Sequence, residues 1–169
     1  MSTIIDGTTG ITTDGLIITG PSPVQLIKLE TSKATTSGTS IDFTGIPSWA
    51  KKITIIFNNV SLSGVANFVV QLGSGSIEST GYVSNSSNSS SSTSGLIIYA
   101  VSAATNTSGH MVLTLIGSNL WIASHSVTAA FGGGSKTTSS TLDRIRLTTT
   151  NGTDTFDNGS VNILIEGSL

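Results

Sequence analysis

The chain has 169 residues, 37% of them apolar, with seven Lys and Arg against nine Asp and Glu and a formal net charge of −2. That length supports one sizeable core, most simply in a single domain. A charged fraction of 9%, against roughly 25% in an average globular protein, leaves the surface to Ser, Thr, Asn and Gly or to contact with other chains. The basic residues are scattered except for Lys51-Lys52 and the Arg144/Arg146 pair, so there is no electrostatic footprint for nucleic acid. The absence of cysteine excludes a disulfide framework, a thiolate metal site and a cysteine nucleophile.

Met1 is followed by a polar, acidic segment without a basic or apolar leader region, and the expectation is a chain made in a cytosol and not exported by a classical signal. No apolar run approaches the roughly 18 residues needed to cross a bilayer. Six Asn-x-Ser/Thr triplets begin at Asn59, Asn85, Asn88, Asn106, Asn151 and Asn158; so Ser/Thr-rich a composition produces them without glycosylation.

In chain order, MSTIIDGTTGITTDGLIITG repeats Asp-Gly at Asp6-Gly7 and Asp14-Gly15, a turn signal. Residues 1–23 read as an extended arm, too short to own a core, with Ile4, Ile5, Ile11, Leu16 and Ile17 as candidates for attachment to a particle or a neighbouring subunit. Pro21-Ser22-Pro23 stiffens the boundary and removes two backbone donors. The β-domain then occupies residues 24–169. Val24 to Thr31 reads as a strand with Val24, Leu26 and Leu29 inward, Ser32 to Thr39 as a polar loop, and Thr39 to Phe43 as a short strand.

The stretch from Ile41 to Gly73 carries the strongest pattern. A Gly45-Ile46-Pro47-Ser48-Trp49 corner leads into Lys52 to Val60, and a second apolar run, Ala66 to Leu72, follows the linker SLSG. The two runs read as a β-hairpin. Trp49 is suited to plug one end of a sandwich, and Lys51-Lys52 to discourage edge pairing. Alternation puts Ile53, Ile55 and Phe57 on one face and Phe68, Val70 and Leu72 on another. The predicted structural core is therefore Trp49, Ile53, Ile55, Phe57, Phe68 and Val70, with the partly apolar opposite face left for a partner.

These residues also carry a family likeness. The run Asp42 to Trp49, then Lys51 to Ser61, Val70 to Gly73, Ile77 to Tyr82 and the closing Phe156 to Leu164 together resemble a module of virion proteins from tailed bacteriophages and their prophages, above all tail-fibre and receptor-binding proteins. The resemblance spans roughly Ile41 to the end. It implies an all-β sandwich that assembles as a homotrimer in the virion; the expected partners are other tail or capsid proteins and a host surface glycan, and the charge, run lengths and motifs of the chain give no expectation of nucleic acid, membrane insertion or a cofactor. A capsid cement or decoration protein is the alternative within structural proteins, and a polysaccharide depolymerase the alternative in a different class.

Beyond Tyr82, the apolar-free segment Ser84 to Gly95 reads as an exposed low-complexity loop. Further strands are expected over Leu96 to Ser102, His110 to Ile116, Leu120 to Ala130, Leu142 to Thr149 and Val161 to Glu166. Gly117-Ser118-Asn119, Gly132-Gly133-Gly134-Ser135, Asn151-Gly152 and Asn158-Gly159 supply turns between them. About nine or ten strands without a helix indicate an antiparallel, jelly-roll-like β-sandwich.

Catalytic, metal and cofactor-binding residues are not assigned. His110 and His125 are the only histidines, and Ser124 and Ser126 flank His125 on the opposite strand face, so adjacency brings no hydroxyl to the imidazole. The acids Asp42, Glu78, Asp143, Asp154, Asp157 and Glu166 read as solvated groups at strand ends and turns rather than as a glycosidase pair. Asp154 to Gly159 lacks the acids of an EF-hand loop. Gly73-Ser74-Gly75 and Gly132 to Lys136 lack the helix that completes a phosphate cradle.

Overall fold

The computed structural model describes residues 5–6, 10–11, 25–100, 102–103 and 105–168. Among them the chain forms β-strands only: β1 (Ile5–Asp6), β2 (Gly10–Ile11), β3 (Gln25–Leu29), β4 (Lys33–Ala34), β5 (Ser40–Thr44), β6 (Ala50–Leu62), β7 (Phe68–Ser74), β8 (Ser76–Ile77), β9 (Tyr82–Ser86), β10 (Ser90–Ser92), β11 (Leu96–Ile98), β12 (Thr107–Gly117), β13 (Leu120–Val127), β14 (Ala130–Thr137), β15 (Arg144–Thr149) and β16 (Phe156–Ser168). Every pairing is antiparallel.

A nine-stranded sheet runs β10-β9-β14-β13-β12-β6-β16-β3, with β4 also on β16, and a five-stranded sheet runs β11-β7-β15-β5, with β8 on β7. The two pack face to face as a β-sandwich. From the large sheet Ile53, Ile55, Phe57, Met111, Leu113, Trp121, Val161, Ile163 and Ile165 point inward. From the small sheet Phe43, Phe68, Val70, Leu72, Leu96, Ile98, Ile145 and Leu147 meet them, and all are buried. Alternation along strands such as β9, β13 and β15 separates the core face from the outer one. Phe68 and Phe156 stack at 6.3 Å between centroids, 14° from parallel.

Of the attachment candidates, Ile4, Leu16 and Ile17 lie outside the described residues, as do Pro21 to Val24. Ile5 and Ile11 are paired in the short β1–β2 ladder.

Several expectations are corrected. The runs flanking SLSG do not form a hairpin: β6 pairs with β12 and β16, whereas β7 pairs with β8, β11 and β15. The chain crosses between sheets over residues 63–67, because both runs carry an apolar face and two such faces are best buried against each other. Asp154 holds this crossover by accepting the Ala66 N–H at 2.9 Å. Leu29 points outward and is 63% exposed, because it stands opposite Leu164, which alternates with the inward Ile163 and Ile165. Trp49 is half-buried at the rim, while Ile46 and Ala50 of the same corner are buried.

Gly132-Gly133-Gly134 is strand, not turn. It lies inside β14, between β13 and β9, and a Cβ on Gly132 would fall 2.2 Å from the Asn85 carbonyl oxygen. Glycine marks a close approach of backbones here. Asn158-Gly159 also lies within a strand, at irregularities in the β16–β6 ladder, with Gly159 at φ +91° against the Asn58 and Asn59 carbonyls. Ser118-Asn119 is the expected hairpin turn, both residues having positive φ (46° and 63°), as a type I′ turn requires.

The polar segment after Tyr82 is likewise not a simple loop. It makes the β9–β10 hairpin and buries Ser84 and Ser86. Their hydroxyls accept the Ile97 and Tyr99 N–H groups at 2.8 and 3.0 Å, which stitches β9 of the large sheet to the β11 region of the small one. A buried polar side chain costs little once hydrogen-bonded.

Candidate functional site

The outer face of the small sheet carries a charged cleft of about 260 Å³ lined by Asp42, Thr44, Gly75, Ser76, Ile77, Arg144 and Arg146. Its origin is alternation along β15: Ile145 and Leu147 enter the core, so Arg144 and Arg146 both project from the other side. Register then supplies partners. Arg146 stands opposite Asp42 on β5 and Gln71 on β7.

The Arg146 Nε and Nη2 groups donate to Asp42 Oδ1 and Oδ2, each at 2.7 Å. Arg144 repeats this fork with Asp143, at 2.7 and 3.2 Å. Gly75, at φ +72°, donates its N–H to both Asp143 oxygens at 3.2 and 3.1 Å. Bidentate pairing fixes each guanidinium plane and leaves the Nη1 edge of both arginines without a partner among the described residues. The hydrogen bond from Arg146, acting against partial burial, holds the Asp42 carboxyl below the usual range, and that from Arg144 does the same for Asp143. The cleft thus presents ionised carboxylates beside fixed donors.

The other acids are each engaged singly. Glu166 pairs with Lys52 across the strands at 2.9 Å, Asp157 accepts the Ser61 hydroxyl, and Asp154 serves the crossover. Glu78 pairs with Lys136 at 2.7 Å; burial opposes its charge, but the bonds from Lys136 and Ser139 outweigh it and depress its pKa. Lys136 is buried, donates to the Thr80 carbonyl at 3.0 Å and lies 5.2 Å from the Tyr82 ring centroid. The Tyr82 hydroxyl accepts the Leu72 N–H at 2.6 Å and donates to the Glu78 carbonyl at 2.8 Å. Burial raises the Tyr82 pKa, so the phenol stays protonated as that donor. A glycosidase acid needs a raised pKa and a second carboxyl nearby; Asp42, Glu78, Asp143 and Asp154 are all shifted downward.

His125 does meet a serine, but from another strand: Ser86 Oγ lies 3.0 Å from Nε2. Ser86 also accepts the Tyr99 N–H. Both residues are buried, and burial pushes the His125 pKa down to about 4. The pair is an interior hydrogen bond joining β9 to β13. No group of three or more potential metal-ligating side chains occurs among the described residues.

A second, more open hollow of about 360 Å³ is lined by Tyr82, Val83, Ser84, Asn85, Ser91, Ser92 and Thr93 on the β9–β10 hairpin. It offers hydroxyl and amide groups without charge.

No protein-family model, curated protein or solved structure matches this chain.

Asp42, Asp143, Arg144 and Arg146 were each visible in the sequence, but not as one site. The alternation R-I-R before an apolar-polar run was the available signal that both arginines share a face. That Asp42, 104 residues away, stands opposite Arg146 depends on strand register, which the sequence does not display.

Proposed function

We propose that this chain is a non-enzymatic structural protein of a tailed-phage virion, a tail fibre or fibre tip whose jelly-roll-like β-sandwich contacts the bacterial surface. The observation that carries this reading is the Arg–Asp cleft. Two arginine–carboxylate forks on rigid strands hold donors and acceptors at fixed spacing, which suits neighbouring hydroxyls of a surface saccharide. Such contacts are individually weak and become strong by repetition across copies. The residue resemblance from Ile41 onward and the low charged fraction support the same setting.

The test is competition. Purified protein incubated with host cells before infection should adsorb to them and lower plaque number. Binding to empty heads without adsorption to cells would instead favour capsid decoration, and release of fragments from host polysaccharide would make the protein a depolymerase.

A further inference from the structure

The exposed margin of the large sheet offers an interaction surface that the cleft does not involve. β3 pairs on one side with β16, in the register Leu29↔Leu164, Lys28↔Ile165 and Ile27↔Glu166. Among the described residues no strand lies on its other side. The Glu30 N–H donates to the Ile163 carbonyl at 3.0 Å, so in this ladder Glu30, Lys28 and Leu26 direct their backbone groups toward β16. Ile27 and Leu29, in alternation, direct theirs toward the open edge. Their side chains are also the largest apolar groups on that edge, 69% and 63% exposed. An open edge with large apolar side chains is a template for strand addition; β3 has no proline, and its one charge, Lys28 on the inward side opposite Ile165, lies in an ion pair with Glu30.

Charge selects the occupant. Lys28 and Glu30 project together from the other side of β3, 2.6 Å apart in an ion pair. Setting a second β3 antiparallel with Leu29 opposite Leu29 brings Lys28 of each copy opposite Glu30 of the other, and Ile27 opposite Thr31. Sliding by one residue per strand puts Lys28 against Lys28, which is unfavourable for directly opposed like charges. A further slide puts Lys28 against Leu26 and leaves Glu30 without an ionic partner. The edge is therefore self-complementary in one register.

We propose that two copies of this chain join through their β3 edges, in a two-fold antiparallel contact centred on Leu29 that continues the large sheet from one protomer into its partner. The contact has the isologous form of a closed pair. It differs from the three-fold assembly that the family resemblance implies, and it does not depend on the attachment function.

Because the chain has no cysteine, single cysteines report the register cleanly. Opposed Cα atoms in a hydrogen-bonded antiparallel pair lie about 5.5 Å apart, within disulfide reach. Leu29→Cys should thus cross-link under mild oxidation. Ile27→Cys should not, since the two Ile27 positions are offset by roughly 14 Å along the strands. Light scattering on the wild type should give twice the chain mass of 17.2 kDa. Lys28→Glu should weaken the pair about tenfold by opposing two acids in each half of the contact, and adding Glu30→Lys should restore it. A wild-type mass of one or three chains, cross-linking of Ile27→Cys as fast as Leu29→Cys, or failure of the charge swap to restore the pair would overturn the proposal.

Discussion

Ser86 Oγ and His125 Nε2, 3.0 Å apart in the interior, join two strands of the large sheet through a hydroxyl that also accepts a backbone N–H from the β11 segment. Burial in the interior disfavours the charged imidazole. The folded protein holds His125 uncharged down to about pH 4, while the unfolded chain takes up that proton near the ordinary value of 6.5. Between those values the unfolded state binds more protons, so stability falls as pH falls through the window, by about 3 kcal/mol in all. Urea unfolding at pH 7, 5.5 and 4.5 should show this decline, and His125→Gln, which keeps a hydrogen-bonding side chain, should flatten it. An unchanged slope in His125→Gln would remove His125 as its source.

The glycines of β14 should be intolerant of a methyl group. Gly132→Ala drives a Cβ to 2.2 Å from the Asn85 carbonyl oxygen, and separating β14 from β9 to relieve this breaks the ladder. We expect a loss of more than about 3 kcal/mol, of the kind seen for overpacked interiors. Gly152→Ala meets no atom within 4 Å and is strained only by its φ of +68°, so it should cost about 1–2 kcal/mol. Thermal denaturation of the two variants gives the comparison.

Lys136 and Glu78 form an ion pair with side-chain exposures of 8% and 16%. Removing one partner strands the other with few replacements, and Lys136→Met should cost about 3–5 kcal/mol. Lys136→Met combined with Glu78→Gln should recover a large part of that loss. A double-mutant cycle by urea unfolding measures the coupling, and additive losses would mean the pair is not energetically coupled.

The two tryptophans should separate in the same assay. Trp121 is buried against the core while Trp49 is half-buried at its rim. Trp121→Ala should lose about 3–5 kcal/mol, and Trp49→Ala distinctly less. Equal losses would restore Trp49 as the plug of this end.

What could be read from the sequence follows the reach of each signal. Period-two alternation is local, so the inward faces Ile53-Ile55-Phe57 and Phe68-Val70-Leu72 were legible, as was the Ser118-Asn119 turn. Which strand a run pairs with is not local: β6 and β7 looked like hairpin partners and instead belong to opposite sheets. Composition misled where small residues do structural work. Ser84 and Ser86 resemble linker residues but bond the backbone across the sandwich, and Gly132 to Gly134 resemble a turn but let strands close on each other. The cleft suffered for the same reason, since Asp42 meets Arg146 only through register.

The attachment reading is tested most directly by measuring adsorption of wild type and Arg146→Ala to host cells. The Asp42–Arg146 pair is partly exposed, so its loss should cost no more than about 1 kcal/mol of stability and leave the fold intact. We expect the wild type to adsorb and the folded Arg146→Ala variant to lose adsorption at least tenfold. A wild type that does not adsorb, or a variant that adsorbs equally well, would contradict the assignment of this cleft to the bacterial surface.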